Sequence, residues 1–193
     1  MNLPNKLTIF RIILVPIMVV ISYLNIPYPL VWIDVIFVIA AITDKLDGSL
    51  ARKNDQITTF GKFLDPIADK ILVLAALIIL VEANKIPGWI PIIILFREFV
   101  VSGYRLIASE RKGEVIAASK WGKIKTVTQM TAIIMMFLDK YPFGYYIQNA
   151  GTMNWLENTF NVLTTVVMSI SVISTIFSGY EYIKNGRELL KEK

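Results

Sequence analysis

Four aspartates in residues 43–70 are spaced so that they can act together. Asp44 and Asp47 are three residues apart, and Asp65 and Asp69 are four apart, so each pair shares one face if its segment is helical. Four carboxylates converging in a medium of reduced dielectric repel one another strongly unless cations neutralise them. Oxygen ligands without His or Cys favour Mg²⁺, Mn²⁺ or Ca²⁺. The spacing therefore predicts a site for hard divalent cations, with enough carboxylates for two ions.

Small and cationic residues accompany these carboxylates. Gly48 directly follows Asp47 and Gly61 lies four residues before Asp65, so a bulky group can approach both segments closely. Arg52 offers a planar fork that suits phosphate oxygens. A single acidic residue at a helix end is usually solvated or paired with a lysine, but the complete set is typical of a site for a nucleotide diphosphate.

The composition limits the chemistry and the class of protein. The 193 residues are 55% hydrophobic and contain no Cys or His, which excludes disulfides, thiolate nucleophiles, imidazole bases and the usual zinc sites. The mean hydropathy is +0.58. Two windows, residues 12–33 and 158–180, carry no charge over the length needed to cross a bilayer. The chain is predicted to be a polytopic membrane protein whose first apolar run is retained, because no small-residue cleavage site follows it.

Apolar runs of sufficient length predict an all-α protein with six transmembrane helices in one membrane domain, residues 1–193. A short N-terminal interfacial segment containing Pro4 and Asn5 is expected before the first span. The predicted spans are Thr8–Leu24, Leu30–Leu50, Phe63–Val81, Trp89–Ile107, Ala117–Leu138 and Leu156–Phe177. Turn residues such as those in "NIPYP" and "ANKIPG" separate them.

The distribution of basic residues predicts the orientation. Residues 25–29, 82–88 and 139–155 contain only Lys85 and Lys140 of the 20 Lys and Arg residues. Short loops rich in Lys and Arg stay in the cytoplasm, so both termini and the aspartates are expected on the cytoplasmic side of the membrane. The formal charge of +5 is then a feature of the membrane topology, and no nucleic-acid partner is expected.

The aspartates and their neighbours resemble the signature of the CDP-alcohol phosphotransferase family. The matching positions are Asp44-x-x-Asp47-Gly48-x-x-Ala51-Arg52, then eight residues, then Gly61-x-x-x-Asp65-x-x-x-Asp69. Members have six transmembrane helices, join an alcohol to the phosphoryl group of a CDP-activated molecule and release CMP. Further segments are similar to the bacterial branch that makes phosphatidylglycerophosphate: "NLPNKLTIFR", "FREFVVSGYRL", "GKIKT" and "FSGYEYIKNGR".

The resemblance implies substrates, ions and residue roles. The lipid substrate would be CDP-diacylglycerol and the acceptor sn-glycerol 3-phosphate, and the cofactor would be Mg²⁺ or Mn²⁺, as two ions. Asp44, Asp47 and Asp65 would ligate the metals, while Asp69 would share one ion and act as the catalytic base. The nucleotide would contact Gly48, Ala51, Arg52 and Gly61. Family members often form dimers, so a homodimer is compatible with the sequence but not indicated by any feature of it.

A phosphorylated acceptor also needs cationic partners, and the fourth and fifth spans supply them on the inner side. Arg105, Arg111, Lys123 and Lys125 are the predicted acceptor phosphate ligands. An ordinary positive-inside cluster is the alternative interpretation. Arg97 and Glu98 lie inside an otherwise apolar span, where charge is costly and often functional.

Two other functions fit parts of the pattern. A sister enzyme could use inositol phosphate, serine or a second phosphatidylglycerol as its acceptor, although the basic cluster favours a phosphorylated alcohol over serine. A divalent-cation transporter or channel would also contain intramembrane carboxylates. Its aspartates would be expected near the middle of the membrane on broken helices, whereas these four cluster towards one face together with an arginine and two glycines.

Overall fold

The computed structural model describes residues 3–53, 59–112 and 120–186 of the chain. For the helical residues 3–4, 44–53, 59–60, 62–63, 106–112, 150 and 185–186 it describes the backbone alone. Every regular element within the described ranges is a helix. The predicted all-α class is therefore confirmed for this part of the chain.

The described ranges contain six long helices and one short one. They are α1 Leu3–Tyr23, α2 Pro29–Lys53, α3 Thr59–Glu82, α4 Trp89–Lys112, α5 Lys120–Leu138, α6 Tyr146–Asn149 and α7 Trp155–Gly186. Each predicted span corresponds to one long helix. The N-terminal segment differs from the prediction, because α1 is continuous from Leu3 and no break separates it from the first span. The prediction also missed α6 and the 3₁₀ turn Ala150–Thr152 that follows it.

The C-terminus of α3 shows how local sequence ends a helix here. Asn84 adopts a left-handed conformation with φ of 56°, which asparagine tolerates better than most residues. The amide of Lys85 donates to the carbonyl of Leu80 at 2.8 Å, and that of Asn84 donates to Val81 at 2.9 Å. This pair of bonds is a Schellman motif, which satisfies the last carbonyls of the helix.

The chain divides into two compact units. The first comprises Met1–Lys85 and Ile134–Leu138, and in it α1 packs against both α2 and α3. Its core includes Met18, Ile33, Phe37 and Leu72, all fully buried. The rings of Phe37 and Phe137 meet with their centroids 6.4 Å apart. This unit contains both halves of the aspartate signature.

The second unit comprises Ile86–Ile133 and Asp139–Lys193, and in it α4 packs against α7. The buried face of α7 is lined by small polar side chains, several of which donate to carbonyls of their own helix. Thr164 donates to the Phe160 carbonyl at 2.8 Å and Thr175 to that of Ser171 at 2.7 Å. These bonds satisfy hydroxyl groups that lack access to water.

The segment before α7 is held by a buried polar network. The side-chain amide of Asn161 donates to Asp139 Oδ2 at 3.1 Å and to the Pro142 carbonyl at 3.0 Å. Its oxygen accepts a bond of 3.0 Å from the amide of Tyr146. Asn161 is fully buried, so one side chain fixes the connection between α5 and α7.

Large apolar side chains are exposed along the long helices. Val20, Ile92, Phe96, Phe99 and Val127 are each more than half exposed. By length and composition, two helices within the described residues can cross a bilayer, Asn5–Tyr23 and Trp155–Lys184, and Pro29–Thr43 is a shorter apolar stretch. Large exposed apolar patches typically mark a contact with a membrane or with another protein.

Candidate functional site

The first half of the aspartate signature lies on α2. The helix continues without a break to Lys53, so it includes Asp44, Asp47, Gly48 and Arg52 together with Ala51. A separation of three residues on a helix places Asp44 and Asp47 on one face. The side chains of these five residues lie outside the described part of the structure, and their contacts remain predictions.

The second half lies on α3. Gly61, Asp65 and Asp69 are separated by four residues each within Thr59–Glu82, so they form one stripe along the helix. Gly61 is buried, and the two aspartates are half-buried. The predicted pairing of Asp65 and Asp69 on one face is thus present in the backbone geometry, at the N-terminal end of α3.

A residue of α1 contacts the α3 stripe directly. The hydroxyl of Thr8 donates to Asp65 Oδ1 at 2.6 Å, a short bond of the charge-assisted kind. Asn5, Thr8 and Arg11 follow one another at intervals of three residues and are all buried, with Arg11 fully so. One face of α1 therefore carries buried polar groups, and one of them, Thr8, contacts a predicted metal ligand.

The donor set suits a hard divalent ion. Asp65 and Asp69 provide carboxylate oxygens one turn apart, and the chain has no Cys or His to attract a softer metal. Among the side chains that the structure describes, no group of three or more His, Cys, Asp or Glu could hold a metal ion. The other two predicted ligands, Asp44 and Asp47, have side chains outside that set. The described residues thus supply half of the predicted ligand set.

The second unit contains three charged residues that form one cluster, the ion triad Arg97–Glu98–Lys125. Arg97 Nη1 lies 2.8 Å from Glu98 Oε1, and Lys125 Nζ contacts the same oxygen. The exposed fractions of the side chains are 11% for Arg97, 22% for Glu98 and 8% for Lys125. One carboxylate thus contacts two cations in a poorly solvated position.

Arg97 is held from α7 as well. Its Nη2 donates to the hydroxyl of Ser178 at 2.6 Å. The next residue, Gly179, is buried, and a Cβ built on it would lie 3.3 Å from Arg97 Cγ. The glycine therefore allows α7 to pass close to a cation that two hydrogen bonds keep in place.

The predicted acceptor ligands are all on α4 and α5, in the second unit. Arg105 is exposed, and its Nη2 donates to the hydroxyl of Tyr182 at 2.7 Å. Lys123 is exposed, whereas Lys125 is buried in the ion triad. Arg111 lies on α4, and its side chain is outside the described set. The structure thus distinguishes two solvent-facing cations from one that is already paired.

Sequence patterns missed several of these contacts. Helical periodicity relates only residues that are close in sequence, whereas these contacts join distant ones. The separation is 57 positions for Thr8 and Asp65, 27 for Glu98 and Lys125, and 77 for Arg105 and Tyr182. One signal was available: polar residues at every third position of α1, inside a run of Ile, Leu and Val, indicate a buried polar face.

Comparison with known proteins gives a consistent result along the chain. A model of the CDP-alcohol phosphatidyltransferase family matches residues 1–177. A Bacillus subtilis protein named CDP-diacylglycerol–glycerol-3-phosphate 3-phosphatidyltransferase is 40% identical, over 98% of this chain and 97% of its own length. A protein of the same name from Haemophilus influenzae is 39% identical, over 95% of this chain and 92% of its own length. Another, from Salmonella choleraesuis, is 42% identical, over 96% of this chain and 95% of its own length.

Proposed function

Because the chain belongs to the CDP-alcohol phosphatidyltransferase family, we propose that it transfers the phosphatidyl group of CDP-diacylglycerol to sn-glycerol 3-phosphate and releases CMP. The observation that carries this proposal is the similarity over nearly the whole length to relatives named for that reaction. The eight signature positions on α2 and α3 support the reaction class. The product would be phosphatidylglycerophosphate, an intermediate of phospholipid synthesis.

We propose that the protein crosses a bacterial cell membrane six times, with both termini in the cytoplasm. The apolar helices and their exposed Ile, Val and Phe side chains suit a bilayer. The asymmetry of Lys and Arg supports the orientation, since 18 of the 20 lie outside the three loops predicted to face out. In that orientation the N-terminal end of α3, with Asp65 and Asp69, lies on the cytoplasmic side, where a water-soluble acceptor is available.

The four aspartates would hold two Mg²⁺ or Mn²⁺ ions. Members of this family generally depend on divalent metals. The oxygen-only donors fit such ions, and the Thr8 bond to Asp65 is the kind of contact that orients a ligating carboxylate. When bound, the ions supply positive charge that offsets the charge of the diphosphate and of the CMP that leaves.

The residues of the chain have distinct roles in the proposed reaction. Asp69 accepts the proton of the glycerol 1-hydroxyl as the new O–P bond forms at the phosphatidyl phosphorus and the P–O bond to CMP breaks. Arg52 binds phosphate oxygens. The small residues Gly48, Ala51 and Gly61 would allow the cytidine and its phosphates to approach the two helices closely.

We assign the phosphate of the acceptor to Arg105, Arg111, Lys123 and Lys125. Arg105 and Lys123 are exposed, so a soluble phosphate can reach them. Lys125 is paired with Glu98, and its positive charge would attract the phosphate together with those of the two exposed cations. Such partly desolvated cations bind phosphate more strongly than freely solvated ones, because water screens them less.

The test is turnover by the purified protein in detergent, measured as CMP release from CDP-diacylglycerol. We expect release to require glycerol 3-phosphate, to stop with a chelator and to resume when Mg²⁺ or Mn²⁺ is added. Asp69→Asn should lower kcat by a factor on the order of 10²–10⁴. Asp34→Asn is the matched control, because Asp34 is a buried aspartate of α2 outside the signature.

Parallel reactions address the alternatives. Faster turnover with inositol phosphate or serine than with glycerol 3-phosphate would reassign the acceptor. Metal flux into liposomes without CMP release would overturn the enzymatic function altogether.

A further inference from the structure

We propose that Thr8 is a positioning residue for Asp65 and thereby raises the affinity of the site for its divalent cation. This inference rests on the proposed function, in which Asp65 is a metal ligand. It adds a residue of α1, outside the signature on α2 and α3, to the machinery of the reaction.

The geometry of the contact supports a directed role. Thr8 is 1% exposed, so water does not compete for its hydroxyl, and the bond to Asp65 Oδ1 is 2.6 Å long. A carboxylate at the end of a flexible side chain has several rotamers, and a hydrogen bond to one oxygen selects among them. The contact engages Oδ1 and so leaves Oδ2 to the cation. Ligating carboxylates are commonly oriented in this way by a hydrogen bond from outside the ligand set.

The position of Thr8 in α1 is consistent with this role. A threonine on a buried helical face can also donate to the carbonyl four residues earlier in its own helix, as Thr164 does on α7. Thr8 bonds across to another helix, to a residue 57 positions away. Asn5 and Arg11 are buried on the same face, and the polar character of that face is therefore continuous.

The orientation of one ligand has a measurable effect. Loss of a partner that orients a metal ligand typically lowers metal affinity 10- to 100-fold. Because a single bond to one of four ligands is removed, we expect Thr8→Val to raise the Kd for Mn²⁺ about 10-fold and the Mg²⁺ concentration for half-maximal activity by a similar factor. The KM for glycerol 3-phosphate at saturating metal should stay within about 2-fold of the wild-type value.

The experiment titrates Mn²⁺ into the purified full-length protein in detergent and measures bound ion by electron paramagnetic resonance, with no substrate present. Thr8→Val and Thr8→Ala lack the donor, whereas Thr8→Ser keeps it. Thr164→Val is the matched control, because Thr164 is equally buried and its hydroxyl bonds only to its own helix. We expect Thr8→Val and Thr8→Ala to weaken Mn²⁺ binding to the same extent. Thr8→Ser and Thr164→Val should bind Mn²⁺ as the wild type does.

Each result has one meaning. Wild-type Mn²⁺ affinity in both Thr8→Val and Thr8→Ala would overturn the inference, as would equal weakening by Thr8→Ser, since the donor would then not matter. If Thr8→Val fails to fold, the comparison of Ala with Ser at the same position decides. Asp65→Asn separates the two proposals. If Asp65→Asn leaves the Mn²⁺ affinity unchanged, the metal site of the proposed function is wrong. If Asp65→Asn does not bind Mn²⁺ but Thr8→Val binds it as the wild type does, only the role of Thr8 is refuted.

Discussion

Replacing Glu98 by Gln removes the carboxylate that the ion triad shares, and we expect this change to lower the free energy of unfolding by about 3 kcal/mol. Glutamine has nearly the same shape and still accepts a hydrogen bond. The substitution therefore isolates charge from packing and tests whether a single carboxylate holds two cations together in the second unit.

The magnitude follows from the geometry. Arg97 Nη1 lies 2.8 Å from Glu98 Oε1 and Lys125 Nζ contacts the same oxygen, so the two cations are within about 5 Å of each other. The repulsion between them is present with or without the carboxylate. Glu98→Gln removes the attraction of the carboxylate to each cation, about 5 kcal/mol at about 3 Å and an effective dielectric constant near 20, and the desolvation of the carboxylate offsets part of that attraction. Lys125 is 8% exposed and Arg97 11%, which limits screening by water. Breaking a fully buried pair costs about 3–5 kcal/mol, and the 22% exposure of Glu98 places this case at the lower end.

The assay is thermal unfolding of the purified protein in detergent. For a chain of this length, 1 kcal/mol corresponds to about 2–4 °C in Tm, so Glu98→Gln should melt about 6–12 °C below the wild type. Lys140→Met is the control, because Lys140 is 70% exposed in its ion pair with Glu157. Its Tm should change by no more than about 2–4 °C, since exposed pairs contribute little.

A second substitution tests the cause. Adding Lys125→Met to Glu98→Gln removes one of the two repelling charges, and the double variant should melt above Glu98→Gln alone. The reasoning is refuted if Glu98→Gln melts within about 2 °C of the wild type, or if the double variant is less stable than the single one. Either result would mean that the triad is held by packing and not by charge.

Three further changes test the contacts around these groups. Asn161→Leu removes the buried amide that bonds to Asp139 at 3.1 Å, and should lower Tm by about 4–8 °C through the loss of about 2 kcal/mol. Tyr182→Phe removes the acceptor of the 2.7 Å bond from Arg105, and should raise the KM for glycerol 3-phosphate about 5-fold, from the roughly 1 kcal/mol of one hydrogen bond, with the KM for CDP-diacylglycerol unchanged. Gly179→Ala places a Cβ 3.3 Å from the Cγ of the arginine in the ion triad, which must shift by a few tenths of an ångström. Overpacking costs about 1–3 kcal/mol and alanine gains about 0.5–1 kcal/mol over glycine inside a helix, so thermal unfolding should show a net decrease of at most a few °C.

The sequence was sufficient for the elements and for which residues share a helical face. Runs of apolar residues predicted all six long helices, because an apolar run of that length between turn residues favours a helix over a strand. The intervals between Asp65 and Asp69, and between Asp44 and Asp47, predicted shared faces on α3 and α2, and both helices continue through these residues. These features depend on neighbours along the chain, and periodicity reports them directly.

Contacts between distant helices were not predictable in the same way. Lys125 was predicted as a phosphate ligand from its charge and position, but its pairing with Glu98 depends on how α4 and α5 pack. The Thr8 contact to Asp65 depends likewise on the packing of α1 against α3. The short helix α6 was missed because four residues with no buried side chain produce no hydrophobic period.

The division of the chain separates the two parts of the proposed reaction. The signature aspartates of α2 and α3 belong to the first unit, and all four predicted acceptor phosphate ligands belong to the second. Substitutions such as Thr8→Val should therefore lower the metal affinity and leave the KM for glycerol 3-phosphate unchanged. Substitutions at Arg105 should raise the KM for glycerol 3-phosphate and leave the metal affinity unchanged. In the proposed function the signature residues act on the diphosphate, and the acceptor is bound by cations that include Arg105, which contacts α7 through its bond to Tyr182. A relative with the same aspartates but without this α7 contact would be expected to keep CMP release and to accept a different alcohol.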